Sequence, residues 1–219
     1  MVDTIKIKSP ISEEYFDEII QHLRNNFFGD EPLNKAVKLC NEGEKHEDLE
    51  LHSLLTLKDN LSVMAVDQNT KKIIGVALNG IQKPSDTKIA KEKLLQANDE
   101  KYKNIFSFLY GVNQDLDLFN KYRVDRIFEC RILSVDQNYR GQGLAKKLLE
   151  KSLKIAQDNN FKLFKQDATS YYTQKIAENM GFITIFELRY KAYRGEDGEP
   201  IFKTSEPHKF LKVMIKILE

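Results

Sequence analysis

Arg140, Gly141, Gln142, Gly143, Leu144, Ala145 and Lys146 are the residues of this chain best suited to hold a charged ligand. They follow an apolar segment, Leu133-Ser134-Val135, and a polar turn, and they run straight into the amphipathic stretch Leu144–Glu150. A strand, a glycine loop and a helix start, in that order, aim several backbone N–H groups and the positive end of the helix dipole at one point. Gly141 and Gly143 carry no Cβ, so a phosphate can come close to the backbone. This pattern predicts a pyrophosphate cradle. Arg140 adds a guanidinium able to pair with phosphate, and Lys146 or Lys147 can assist, although a lysine on a helix surface is usually only solvated. A Walker loop would need Gly-Lys-Ser/Thr where Leu144 and Ala145 follow Gly143, and a dinucleotide loop would need a small residue where Lys146 stands.

The elements that must position this cradle are legible from periodicity. Ser12 precedes Glu13 and Glu14 and can cap a helix that buries Tyr15, Phe16, Ile19, Ile20, Leu23 and Phe27 and ends at Gly29. Pro32 suits the first turn of a second, short helix. The charged stretch Glu42–Glu50 reads as a surface connection into a helix near Leu51–Lys58. Leu61–Asp67 and Lys72–Ile81 read as a hairpin around Gln68-Asn69-Thr70. Pro84–Glu100 and Lys101–Asn120 read as helices, the second rich in aromatic residues. Arg126–Val135 is a central strand, and Ala145, Leu148, Leu149, Leu153 and Ala156 give the helix after the cradle its buried stripe. Phe161–Ala168 and Phe182–Tyr190 are strands around a helix over Tyr171–Met180. Arg194–Pro207 reads as a long surface loop, and Phe210–Leu218 as a closing strand. The fold class is α/β: a single mixed central sheet with helices packed on both faces.

Composition narrows the function further. The 219 residues, with no repeat and no linker-like tract, are expected to form a single domain over 1–219. A net charge of +1 with scattered lysines is no nucleic-acid footprint, so no nucleic-acid partner is expected. Cys40 and Cys130 match neither a disulfide framework nor a zinc spacing, and His22, His46, His52 and His208 form no metal motif. No apolar run is long enough for a membrane span and no signal segment is recognisable, so the expectation is a cytoplasmic protein without a metal.

Arg140-x-x-Gly143-x-Ala145, set between strand and helix, resembles the Arg/Gln-x-x-Gly-x-Gly/Ala loop of the GNAT superfamily of N-acetyltransferases. More specifically, the chain resembles the insect arylalkylamine N-acetyltransferases. Phe27-Phe28-Gly29-Asp30-Glu31-Pro32-Leu33-Asn34 is similar to that family's aromatic-acidic-proline segment. Thr169-Ser170-Tyr171-Tyr172-Thr173, then Met180-Gly181-Phe182, is similar to its hydroxyl-bearing turn and last helix. The tail Gly198-Glu199-Pro200-Ile201-Phe202 through Pro207-His208-Lys209 also matches.

The resemblance implies a GNAT fold and transfer of the acetyl group of acetyl-CoA to a small arylalkylamine of dopamine, serotonin or tyramine type, within a ternary complex. It implies that Leu133, Ser134 and Val135 meet the pantetheine arm, and that Arg140, Gly141, Gln142, Gly143, Leu144, Ala145 and Lys146 hold the pyrophosphate. It implies Glu31 as the base that takes a proton from the ammonium. The competing reading is that Asp30 or Glu31 only caps the helix begun by Pro32, or that Asp30 caps while Glu31 faces the cleft. A helix N-terminus would lower the Glu31 pKa, and burial would raise it. Backbone N–H groups near Leu133–Val135 are the candidate oxyanion donors. Ala177 stands where many acetyltransferases place a tyrosine, so Ser170 and Thr173 are the candidates for assisting the departing thiolate, against a reading of Thr169 or Ser170 as a helix cap. Tyr102, Phe106, Phe108 and Tyr110 could line an arylalkyl pocket, with core packing the stronger reading. His208 could relay protons out of the site, but a lone histidine beside a proline reads as structural. The alternatives are acetylation of an aliphatic amine such as agmatine or a polyamine, or an acetyl-CoA-binding module without catalysis. A monomer is expected.

Overall fold

The protein is described here by a computed structural model covering residues 4–218. Its strands are β1 (Ile5–Lys8), β2 (Val63–Asp67), β3 (Ile73–Gln82), β4 (Ile127–Val135), β5 (Leu163–Ala168), β6 (Ile183–Arg189) and β7 (Phe210–Ile217). Its helices are α1 (Phe16–Leu23), α2 (Pro32–Val37), α3 (Glu47–Leu57), α4 (Asp86–Leu94), α5 (Glu100–Leu116), α6 (Leu118–Tyr122), α7 (Leu144–Asp158) and α8 (Tyr171–Asn179). The strands form one mixed sheet in the order β1-β2-β3-β4-β5-β7-β6. Strand periodicity sorts its side chains between two cores. Met64, Val76, Ile132 and Val213 pack with Leu23 of α1, Leu57 of α3 and Ile105 of α5. Ala65, Ala77, Phe164 and Met214 pack with Leu148 of α7 and Ala177 of α8 on the opposite face.

The feature that makes a site is a split in the sheet. β4 and β5 run parallel but pair only at Phe128↔Phe164 and Glu129↔Lys165. Each strand is meanwhile held along its length on the other side, β4 by β3 and β5 by β7. The β3–β4 register slips between Leu78 and Asn79, leaving Arg131 as the extra residue of a bulge. A bulge bends its strand, and this one lies where β4 begins to leave β5. α7 is fixed to the sheet by a buried bond from Asn79 Nδ2 to Ser152 Oγ (2.9 Å).

Several expectations are corrected. β1 was not foreseen; its four residues pair with β2 at the sheet edge. Ser12 does not cap with its side chain, since its Oγ donates to Glu14 Oε1 at 2.7 Å. The expected long helix is three pieces: a 3-10 turn at Glu13–Tyr15, α1, and a wide π turn at Arg24–Phe28. α3 starts earlier than expected because the His46 imidazole accepts from the Leu49 N–H (3.4 Å), a capping role that histidine seldom takes. The 194–207 segment is pinned rather than a plain surface loop. Phe202 is fully buried, its ring 5.1 Å from Phe108 and stacked at 13° on Tyr193. Phe202→Ala is expected to cost about 3–5 kcal/mol; a thermal midpoint within a degree of wild type would show the anchor to be dispensable. Among the described residues, no helix is long and apolar enough to cross a membrane.

Candidate active site

The split opens into a cleft of about 920 Å³ that passes between the ends of β4 and β5 and joins the two faces of the sheet. Its outer end is the loop before α7. Gly141 and Gly143 adopt φ of +76° and +77°, a left-handed conformation that favours glycine. A Cβ built on either would meet nothing within 4 Å, so the space over the loop is open. α7 has no side-chain cap, which leaves the N–H groups of Leu144, Ala145 and Lys146 without intrahelical partners. These donors converge where an anion would sit.

β4 forms one wall. Asp136 N–H bonds to Ile74 O at 2.9 Å, and alternate residues of an antiparallel strand point the same way. Ser134 therefore faces β3, while the Leu133 and Val135 N–H groups turn toward the split. Ser134 Oγ is 3.0 Å from His22 Nε2. Burial lowers the pKa of that imidazole to about 4, so it is neutral.

Glu31 stands across the cleft at the N-cap of α2, behind Pro32. Its Oε2 accepts from the N–H groups of Leu33 (2.9 Å) and Asn34 (2.8 Å). Its Oε1 is buried without a partner, with the Thr169 side chain nearby. Burial raises the Glu31 pKa above the ordinary carboxylate range, against the pull of the Asn34 N–H, Thr169 and the Leu33 N–H. One oxygen is thus committed to the cap and the other is not, so capping α2 does not use up the carboxylate. Asp30 does not cap. It pairs with Arg140 (2.9 Å) and Lys35 (3.6 Å) instead.

At the end of β5, Ser170 caps α8. Its Oγ accepts from Thr173 N (3.1 Å) and lies 2.9 Å from Thr173 Oγ1, to which it donates. The Thr173 hydroxyl hydrogen is then the one left to give to a third group. His208 joins the site, since its Nδ1 accepts from Tyr171 N at 3.2 Å and it lines the cleft. The structural reading of this histidine from sequence left it out of the site.

Of the residues given a catalytic or cofactor role from sequence, Glu31, Ser170, Thr173, Leu133–Val135 and Arg140–Lys146, all but Gln142 line the cleft. The Gln142 side chain is exposed and reaches Asn138 O at 3.5 Å. Arg140 folds back on the protein, with Nε on Val135 O (3.0 Å), Nη1 on Asp30 and Nη2 on Asn26 O (3.2 Å). Its ion pair is half exposed and of the weak surface kind, so the guanidinium can exchange Asp30 for a phosphate at small cost. The aromatic row is core and not pocket. Tyr102, Phe106 and Phe108 are buried, the first two against each other and Phe108 against Tyr193 and Phe202, and none lines the cleft.

One constellation was not anticipated. Lys165 is fully buried at the base of the split, bonded to Glu129 and 3.2 Å from Asp167 Oδ2. Arg131 reaches the same Glu129 at 3.0 Å. Burial works against charge here, yet Lys165 and Arg131 hold Glu129 below the ordinary carboxylate range. Charged residues on strands read as solvated from sequence, and only the pairing of β4 with β5 brings them together.

A seven-stranded mixed sheet with a parallel split, opening on a glycine cradle at a helix start, defines a nucleotide-tailed acyl donor site. The chain belongs to the acetyltransferase (GNAT) family, whose model matches residues 18–182. Within that family it is similar to arylalkylamine N-acetyltransferase 2 from Aedes aegypti, with 49% identity, 98% of this chain and 99% of that one covered, and a TM-score of 0.94. It is also similar to the mosquito arylalkylamine N-acetyltransferase like 5b, at 26% identity over 98% and 100% of the two chains and a TM-score of 0.88. Drosophila melanogaster polyamine N-acetyltransferase shares the fold, with 19% identity, coverage of 98% and 100%, and a TM-score of 0.85.

The cleft suits acetyl-CoA. The open cradle fits its pyrophosphate. Gln166 faces the same cleft fully buried, with both amide atoms unpartnered, and a donor and an acceptor together fit the amides of a pantetheine arm.

Proposed function

We propose that this chain transfers the acetyl group of acetyl-CoA to the primary amine of a small arylalkylamine of dopamine, serotonin or tyramine type, by direct attack in a ternary complex. The observation that carries the reading is the Glu31 carboxylate. One oxygen holds α2, and the other lies unpartnered in the cleft that also contains the cradle. The 49% identity to an arylalkylamine N-acetyltransferase supports the aromatic amine class.

When bound, acetyl-CoA supplies an activated acetyl group as its thioester. The chain supplies the rest. Gly141, Gly143 and the first N–H groups of α7, with Arg140 and Lys146 beside them, hold the pyrophosphate. Glu31 Oε1 accepts the proton that an alkylammonium must lose before its nitrogen can attack. Its raised pKa makes it a better base than an ordinary surface carboxylate. The Leu133 and Val135 N–H groups stabilise negative charge developing on the acetyl oxygen. Thr173 donates toward the departing sulfur, and Ser170 holds its hydroxyl in place. The reading is completed by a monomer working in the cytoplasm.

Two measurements test the reading. Coenzyme A at a hundredfold excess over its Kd should add about 2.7 kcal/mol of stability, a rise in midpoint of roughly 5–10 °C. Free thiol should then appear when tyramine, dopamine or serotonin is added. Thiol release with agmatine or spermidine but with no aromatic amine would reject the arylalkylamine assignment, and a shift without any release would reject catalysis.

A further inference from the structure

Asp167 is the one carboxylate of the buried ion cluster left with an unused oxygen. Its Oδ2 receives both Lys165 Nζ (3.2 Å) and Asn113 Nδ2 (2.7 Å). Its Oδ1 is buried and has no partner, although the residue lines the cleft. Strand alternation places Asp167 beside Val213, on the face that packs with α1, α3 and α5. That is the face from which α2 presents Glu31, since Phe28 and Leu33 on either side of it pack into the same core. Thr169, whose side chain lies near Glu31, is two residues further along the chain.

We propose that Asp167 Oδ1 accepts a hydrogen bond from a ring hydroxyl of the amine substrate, so that the site selects hydroxylated arylalkylamines. The inference rests on the arylalkylamine reading above and names the member of that class the cleft is built for. Charge decides what Asp167 can receive. Glu129 and Asp167 are matched by Lys165 and Arg131, so the far end of the cleft has no net charge left for a second cation. A neutral donor answers the unpaired oxygen without unbalancing the cluster. An unhydroxylated ring would leave Oδ1 buried and unpaired, and a site built to bond a hydroxyl rejects the analogue lacking it.

The test uses three arylethylamines that differ at one position: tyramine, which can donate; 4-methoxyphenethylamine, which can only accept; and phenethylamine, which can do neither. Wild-type kcat/KM should favour tyramine over both others by about tenfold or more, the worth of one hydrogen bond to a charged group. Asp167→Asn makes the readout specific. Lys165 and Asn113 both donate, so the amide oxygen turns to them and the NH2 group takes the place of Oδ1. The preference for tyramine over 4-methoxyphenethylamine should then collapse or invert. The wild-type ranking stands as a test even if the variant folds poorly. Equal turnover of all three amines by wild type would overturn the proposal while leaving the arylalkylamine reading intact. So would an equal loss for all three in Asp167→Asn. Turnover of agmatine, lost in Asp167→Asn, with no aromatic turnover would overturn both by showing a second-cation site.

Discussion

Glu31→Gln is expected to lower kcat/KM for the amine by roughly 10²- to 10⁴-fold, the usual contribution of a positioned base. The substitution separates the two jobs of this side chain. A glutamine oxygen can still accept from the Leu33 and Asn34 N–H groups, so the cap on α2 survives and the thermal midpoint should move little. The proton acceptor at Oε1 is lost. The pH dependence gives the sign. Glu31 works deprotonated, and burial raises its pKa, so wild-type activity should climb with pH through a limb lying above the ordinary carboxylate range. That limb should vanish in Glu31→Gln. The deficit should narrow as the pH nears about 10, where an alkylammonium loses its proton unaided. Coenzyme A affinity should be unaffected, because the cradle lies across the cleft. A variant that keeps the wild-type profile, or that loses cofactor affinity in proportion to rate, would remove Glu31 as the base.

The parts of this site that were legible from sequence are those whose residue types have few other uses. Paired glycines before an amphipathic helix serve a left-handed loop, and Gly141 and Gly143 have that conformation. An acidic residue before Pro32 announces a helix N-terminus, although the sequence leaves open which of Asp30 and Glu31 caps it. The helix there is short, and the choice depends on Arg140 drawing Asp30 away, a contact 110 residues distant in sequence. The split between β4 and β5 was illegible for a related reason. Both segments read correctly as strands, but nothing local says that they part after Glu129 and Lys165. The buried cluster follows from that geometry and was missed with it. The aromatic row on α5 shows the converse limit, because ring type alone cannot say whether a helix face meets a core or a cleft. Here the rings of Tyr102 and Phe106 meet each other at 4.3 Å.

Gly143→Val is expected to lower coenzyme A affinity by about a hundredfold or more while the protein still folds. Two effects act together at this position. The φ of +77° is strained for any β-branched residue, at a cost of at least 1–2 kcal/mol. The valine methyls would also occupy the open space above the loop, where no protein atom lies within 4 Å of a Cβ and where phosphate must approach the N–H groups of α7. Losing even one charge-assisted hydrogen bond there removes about 1.5–3 kcal/mol of binding, and occlusion threatens several at once. Gly198 separates the two effects. It has a matching φ of +78°, equally open surroundings and no place in the cleft lining, so Gly198→Val carries the backbone strain without the occlusion. Both variants should lose similar stability, but only Gly143→Val should lose the thermal shift with coenzyme A. Wild-type affinity in Gly143→Val would mean that the pyrophosphate rests elsewhere, and equal losses in the two variants would mean that strain alone, spread through the fold, explains the effect.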